Sequence, residues 1–151
     1  MKPRRTKEEM CVDVYNVLIS ELHCATKHAV FADVIWKWSL FDGKYKGCKY
    51  WSEDAFKVRK KKVKFIHEHV VPKKLIIERL MSHKNPSQES VKHILEDYFI
   101  AVVVTVDQDK KLNKLGLRSK MPEGCNISDN PWARYDEAGI KKIEPDWSVH
   151  S

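Results

Sequence analysis

Apolar positions along the chain fall into several stretches of helical period and two of strand period. Met10, Val14, Val17, Leu18 and Leu22 form one stripe and predict a helix over about Lys7–His23, opened by a Thr6/Glu9 capping box. Val30, Phe31, Val34, Ile35 and Trp38 form a second stripe, which Asp42-Gly43 ends near Phe41. Apolar neighbours at helical spacing favour core packing over base stacking for Trp36 and Trp38. A basic, aromatic connection (GKYKGCKY, from Gly43 to Tyr50) leads to Ser52, placed to cap a short helix from Glu53.

Val63–Val71 alternates, with Val63, Phe65, His67, His69 and Val71 on one face and Ile66, Glu68 and Val70 on the other. Pro72 closes this strand and suits the first turn of a helix over Lys73–His83. Ser87 caps the next helix, with Val91, Ile94, Leu95 and Tyr98 inward. Phe99–Val106 (FIAVVVTV) is a continuous apolar run of the buried-strand kind. A helix from about Asp107 follows, with Leu112 and Leu115 inward and Gly116 as its stop. Irregular chain over Leu117–Ser128 leads to a last short helix, capped by Asp129 and ended by Gly139, and then to a tail with an edge strand.

These elements predict a single α+β domain over residues 1–151. N-terminal helices (about 7–56) pack on a small β-sheet. A strand–helix–strand–helix core occupies about 62–116, and an irregular segment with one short helix fills 117–151. The chain has 151 residues, 42% of them hydrophobic, enough for a real core. No apolar run approaches the roughly 20 residues that cross a bilayer, so no membrane partner is expected. MKPRRTKEEM carries charge without an apolar region behind it, so no secretory signal is expected and a cytoplasmic location is. Cys11, Cys24, Cys48 and Cys125 include no close-spaced pair, which disfavours a four-cysteine zinc site and favours reduced thiols.

Charge changes the picture more. The 28 Lys and Arg outnumber 21 Asp and Glu for a net +7, a balance suited to nucleic acid, DNA or RNA, or to another polyanion. Lys57, Arg59, Lys60, Lys61, Lys62 and Lys64 put six cations into eight positions directly before the histidine strand. Such a run is either a solvated turn or a surface that faces an anion. Arg118 and Arg134 lie beyond the second strand as further candidates for a phosphate backbone. Arg134, between Trp132 and Tyr135, reads equally as a structural arginine stacked on aromatics.

The chemistry-bearing residues are His67-Glu68-His69. They are too close for a zincin pair, which needs two histidines four apart on a helix. His67 reads as a core or rim residue rather than a ligand. Glu68-His69-Val70-Val71-Pro72 resembles the first-strand signature of the His-Me finger, or HNH-like ββα-metal, nucleases. The resemblance implies a ββα-metal-like core with a helical insertion. It also implies His69 as general base and Glu68 as ligand of Mg²⁺ or another divalent metal. A further ligand is then expected from the helix after the second strand, where Asn113 leads by residue type and Asp107 and Asp109 are alternatives. The chain departs from the pattern in that Phe99 comes 27 residues after Pro72.

Two functions follow as expectations. One is a small metal-dependent nuclease acting on DNA or RNA. The other is a non-catalytic basic interaction protein that binds nucleic acid or a nucleoprotein complex, as would an inhibitor or regulator from a mobile genetic element; a protein partner belongs to this second reading.

Overall fold

Four strands of a small mixed sheet carry helices on both faces and a helical layer at one end. The structure is a computed structural model, and it describes residues 3–150. In chain order the elements are α1 (Lys7–Ile19), α2 (Cys24–Ser39), β1 (Tyr50–Ser52), α3 (Glu53–Lys57), β2 (Phe65–His69), α4 (Lys73–Met81) and α5 (Gln88–Tyr98). After them come β3 (Ala101–Thr105), α6 (Val106–Lys114), α7 (Ala133–Ala138) and β4 (Lys142–Ile143). The sheet order is β2-β3-β1-β4, with β3 antiparallel to β2 and parallel to β1, and β4 antiparallel to β1. The expected α+β domain with a helical N-terminal half is therefore what the chain forms.

Local chemistry sets the boundaries. Thr6 Oγ1 accepts the Glu9 N–H at 3.1 Å and starts α1. The helix stops at Ile19, short of the expected His23, because Ser20 turns extended and His23 is needed elsewhere: its Nδ1 accepts the Ala25 N–H and caps α2. Leu22, placed on the α1 stripe by periodicity, is consequently 48% exposed. Ser52, Ser87 and Thr105 each cap the helix that follows. Leu112 turns inward as expected, but Leu115 lies past the last turn of α6 and is exposed, and Leu117 takes the buried position. At α7 the expected cap at Asp129 is not formed: Trp132 holds the N-cap position without a side-chain cap, and Asn130 Oδ1 accepts the Trp132 N–H at 3.0 Å in the turn before the helix.

Three apolar clusters result. The largest joins α1, α2, α4 and α5 through Val14, Phe31, Ile35, Ile76, Leu80 and Leu95. A second packs Val70, Val102 and Val104 on one sheet face against Leu112 of α6 and Tyr135 and Ala138 of α7. The third lies on the opposite face, where Ala101, Val103 and Trp51 meet Cys48 and Ala55 and are flanked by Tyr45, Phe56, Phe65 and Trp147. The three-residue β1 was not expected, since Tyr50–Ser52 is too short to show a period; its parallel pairing with β3 holds it.

The loop that feeds β1 is pinned by two glycines in left-handed conformations, Gly43 at φ 128° and Gly47 at φ 91°. A Cβ at Gly47 would collide with the Asp42 carbonyl oxygen. Gly47→Ala should therefore lose on the order of 1–3 kcal/mol of stability, read as a lower midpoint in urea denaturation.

Candidate functional site around Glu68 and the basic run

Strand alternation decides what Glu68 and His69 can do together. Both lie in the β2–β3 ladder, where Glu68 pairs with Val102 and His69 with Ala101. Adjacent side chains therefore leave on opposite faces of the sheet.

Glu68 points to the α6–α7 face and is fully engaged there. Arg134 Nη2 donates to Glu68 Oε1 at 2.7 Å, and the Tyr135 hydroxyl donates to Glu68 Oε2. Arg134 is 1% exposed. Its remaining donors reach the Leu117 carbonyl at 2.6 Å, His69 at 2.8 Å and Val70 at 2.9 Å. Burial pushes the Glu68 carboxyl up, opposed by the Arg134 charge and the Tyr135 hydroxyl. Burial, with the Glu68 charge beside it, likewise holds the Tyr135 phenol well above its ordinary value. Arg134 is thus a structural arginine, and its assignment to the nucleic-acid surface is corrected. Its partners are a carboxylate and three carbonyls rather than the aromatic faces that its neighbours suggested.

His69 points to the other face. The Ser39 hydroxyl donates to the Trp36 carbonyl at 2.9 Å, so at 3.1 Å it accepts from His69 Nε2–H. Trp36 packs on both histidines, with its ring centroid 6.0 Å from each. Trp38, by contrast, sits in the helical core, so the packing expectation holds for it and only partly for the 37% exposed Trp36. Burial, reinforced by nearby positive charge, lowers the His69 pKa to about 4. A base catalyst near neutrality works best with a pKa close to the ambient pH, and His69 lies well below it. His67 is buried, donates from Nδ1 to the Lys44 carbonyl at 2.7 Å and is also shifted down, chiefly by burial. It is a core residue, as its position suggested.

The expected further ligands are not assembled with these two. Asn113 is exposed on α6, beside the inward Leu112. Asp107 lines a cleft of about 580 Å³ together with Asp54, Lys64, Lys111 and Gly139, and neither Glu68 nor His69 reaches that cleft. Asp109 lies near enough to Glu68 to add to the rise in its pKa. Among the described residues no three His, Cys, Asp or Glu side chains converge as a metal-holding group. The donor set expected for Mg²⁺ or another divalent ion therefore does not fit: its carboxylate is already bonded and its imidazole faces away.

The basic run stands out by contrast. Lys57, at the end of α3, and Lys60, Lys61, Lys62 and Lys64, on the connection to β2, are exposed. Among the described residues none of them forms a salt bridge. Arg59 instead folds back, its guanidinium 3.9 Å from the Phe56 ring centroid and Nη1 bonded to the Phe56 carbonyl at 2.9 Å. Arg118 is exposed beyond α6. All four cysteines are free. No described helix is long and apolar enough to cross a membrane. Sequence reading missed the partnership of Arg134 and Tyr135 with Glu68; the only hint was an arginine set between Trp132 and Tyr135. Comparisons with protein-family models, curated proteins and solved structures find no match for this chain.

Two outcomes test this geometry. Arg134→Ala strands a buried carboxylate and three carbonyls and should cost about 3–5 kcal/mol in chemical denaturation, whereas Glu68→Gln, which keeps hydrogen-bonding partners, should cost less. The second concerns pH. His69 has a folded pKa of about 4 against an ordinary 6.5, so the unfolded chain takes up a proton that the folded chain refuses. Its stabilising contribution is complete above pH 6.5 and is lost as pH falls toward about 4. Glu68, with a raised pKa, acts in the opposite sense. The difference between wild type and His69→Asn isolates the histidine: wild type should lose more stability than the variant across that window, and parallel curves would refute the assignment.

Proposed function

We propose that the protein is a non-catalytic, cytoplasmic nucleic-acid-binding module that grips the phosphate backbone through the Lys57–Lys64 run. The observation that carries this reading is the run itself: five exposed ammonium groups between the end of α3 and the start of β2, without carboxylate partners among the described residues. Clustered like charges repel one another, and an anionic partner relieves that repulsion. The net charge of +7 favours the same class of partner. Lysines of this kind contact phosphates and carry little base discrimination, so binding should be independent of sequence.

The nuclease reading has one supporting feature, the order β2, β3, α6 with β2 and β3 antiparallel and α4–α5 inserted between them. It lacks a functional centre. Glu68 is committed to Arg134 and Tyr135, and His69 lies across the sheet with a pKa of about 4. Binding needs none of these groups.

The two readings separate in one set of assays. Affinity for DNA should fall steeply with salt, and Lys60→Gln/Lys61→Gln/Lys62→Gln should reduce the log–log salt slope by up to about three, near 0.9 per duplex phosphate contact. With Mg²⁺ or Mn²⁺ present, plasmid and RNA should remain intact. Metal-stimulated cleavage that His69→Ala abolishes in a folded protein would overturn the proposal, as would a salt slope indifferent to the three lysines.

A further inference from the structure

Resting on that reading, we propose that the Gly43–Gly47 loop and the Lys57–Lys64 run form one continuous docking surface for the backbone of double-stranded nucleic acid, with Lys44 and Lys46 as its second set of phosphate contacts. The two stretches are separate in sequence and meet at an aromatic hub. Trp51 Nε1 donates to the Tyr45 carbonyl at 3.1 Å. The Trp51 ring lies 6.1 Å from Phe56 and 5.3 Å from Phe65. Phe56 immediately precedes the run and Phe65 immediately follows it, so one indole touches both ends of the run and the loop.

Tyr45 stands between Lys44 and Lys46 and completes the join. Its hydroxyl donates to the Phe65 carbonyl at 3.1 Å, and its ring is 6.1 Å from that of Phe65. One residue earlier, the Lys44 carbonyl accepts from His67. The backbone of the loop is thereby tied to β2, while the Lys44 and Lys46 side chains remain exposed. Among the described residues neither lysine has a carboxylate within salt-bridge distance, and the neighbouring Asp42 is taken by Lys7 at 3.8 Å. The C-terminal tail also reaches this hub, with Trp147 5.9 Å from Trp51, and brings Glu144 and Asp146; Asp146 is bonded to Ser148 and neither acid meets a lysine of the run.

The rings here favour a duplex over a single strand. Single-strand binding draws much of its affinity from bases stacked on free aromatic faces. Trp51 is 4% exposed, Phe56 is covered by Arg59 and met edge-on by His150 at 5.1 Å, and Tyr45 is held by its own hydroxyl bond. These three rings at the hub therefore offer no free stacking face beside the ammonium groups. A duplex supplies the denser array of phosphates.

Fluorescence anisotropy with a short random-sequence DNA duplex over a salt series tests this. Lys44→Gln/Lys46→Gln should weaken binding and lower the salt slope by about two, in addition to the loss from the Lys60–Lys62 substitutions. The charge-matched Lys74→Gln/Lys84→Gln variant on the helical layer should leave the slope unchanged, and matching thermal unfolding curves should show each variant folded. An unchanged slope in the Lys44/Lys46 variant, with the run variant still impaired, sinks this inference and leaves the binding function standing. Equal or tighter binding of the single strand overturns the duplex assignment. A polyglutamate peptide that competes as well as the duplex at equal charge would make the surface a site for an acidic protein. Absence of any duplex binding at low salt removes both this inference and the function it rests on.

Discussion

The structure depends on one buried guanidinium. Arg134 fills its donors with a carboxylate and three backbone carbonyls from two distant parts of the chain, the end of β2 and the turn after α6. Taking an ion pair out of water costs several kcal/mol per charge, and well-packed apolar groups are often as stable. What the arginine supplies is position. It ties α7 to the outer edge of β2, satisfies carbonyls where that strand leaves the sheet and fixes the Glu68 carboxylate with help from Tyr135. Without it, the edge of β2 and the turn at Leu117 would each expose unpaired backbone to a closed interior.

That single contact divides the sheet into two working sides. On the α6–α7 face, Glu68, Arg134 and Tyr135 form a sealed polar centre within Val70, Val102, Val104 and Leu112. On the other face the aromatic hub around Trp51 carries two basic connections and the end of the C-terminal tail. One side therefore holds α7 and the turn after α6 against the sheet, and the other presents charge. The glycines at 43 and 47 matter for the same reason, since only a residue without a Cβ lets the loop close against its own carbonyls there.

Much of the fold was legible because its signals are local. Thr6, Ser52 and Ser87 each stand before a helical stretch and cap it as expected, whereas Thr105, read as part of a strand, caps α6 as well. Of the apolar run Phe99–Val106, Ala101–Thr105 forms the buried strand, with Val102, Val103 and Val104 fully enclosed, while Phe99 closes α5 and Val106 opens α6. The misses share a cause: they depend on partners far along the chain. Tyr50–Ser52 becomes a strand only because β3 lies beside it. Arg134 is 66 positions from Glu68, and no spacing rule links an arginine in a short helix to an acid on a strand. The basic run was visible in composition, but its neighbourhood with Lys44 and Lys46 was not, since a hub of aromatic contacts creates it.

The Glu-His pair shows how a local pattern can be read correctly and still assign the wrong partners. Alternation places Glu68 and His69 on opposite faces for as long as the strand stays paired. A shared site would need the strand to leave the sheet between them, and Pro72 made an exit plausible. The ladder instead continues through both residues, and Val70 N–H still bonds the Ile100 carbonyl beyond them. Arg134 takes the His69 and Val70 carbonyls, so the backbone is held through Val70. Proline ends the pairing two residues too late to bring the carboxylate and the imidazole together. The chemistry of this stretch is thereby spent on holding the fold, and the exposed charge lies on the lysines that precede it.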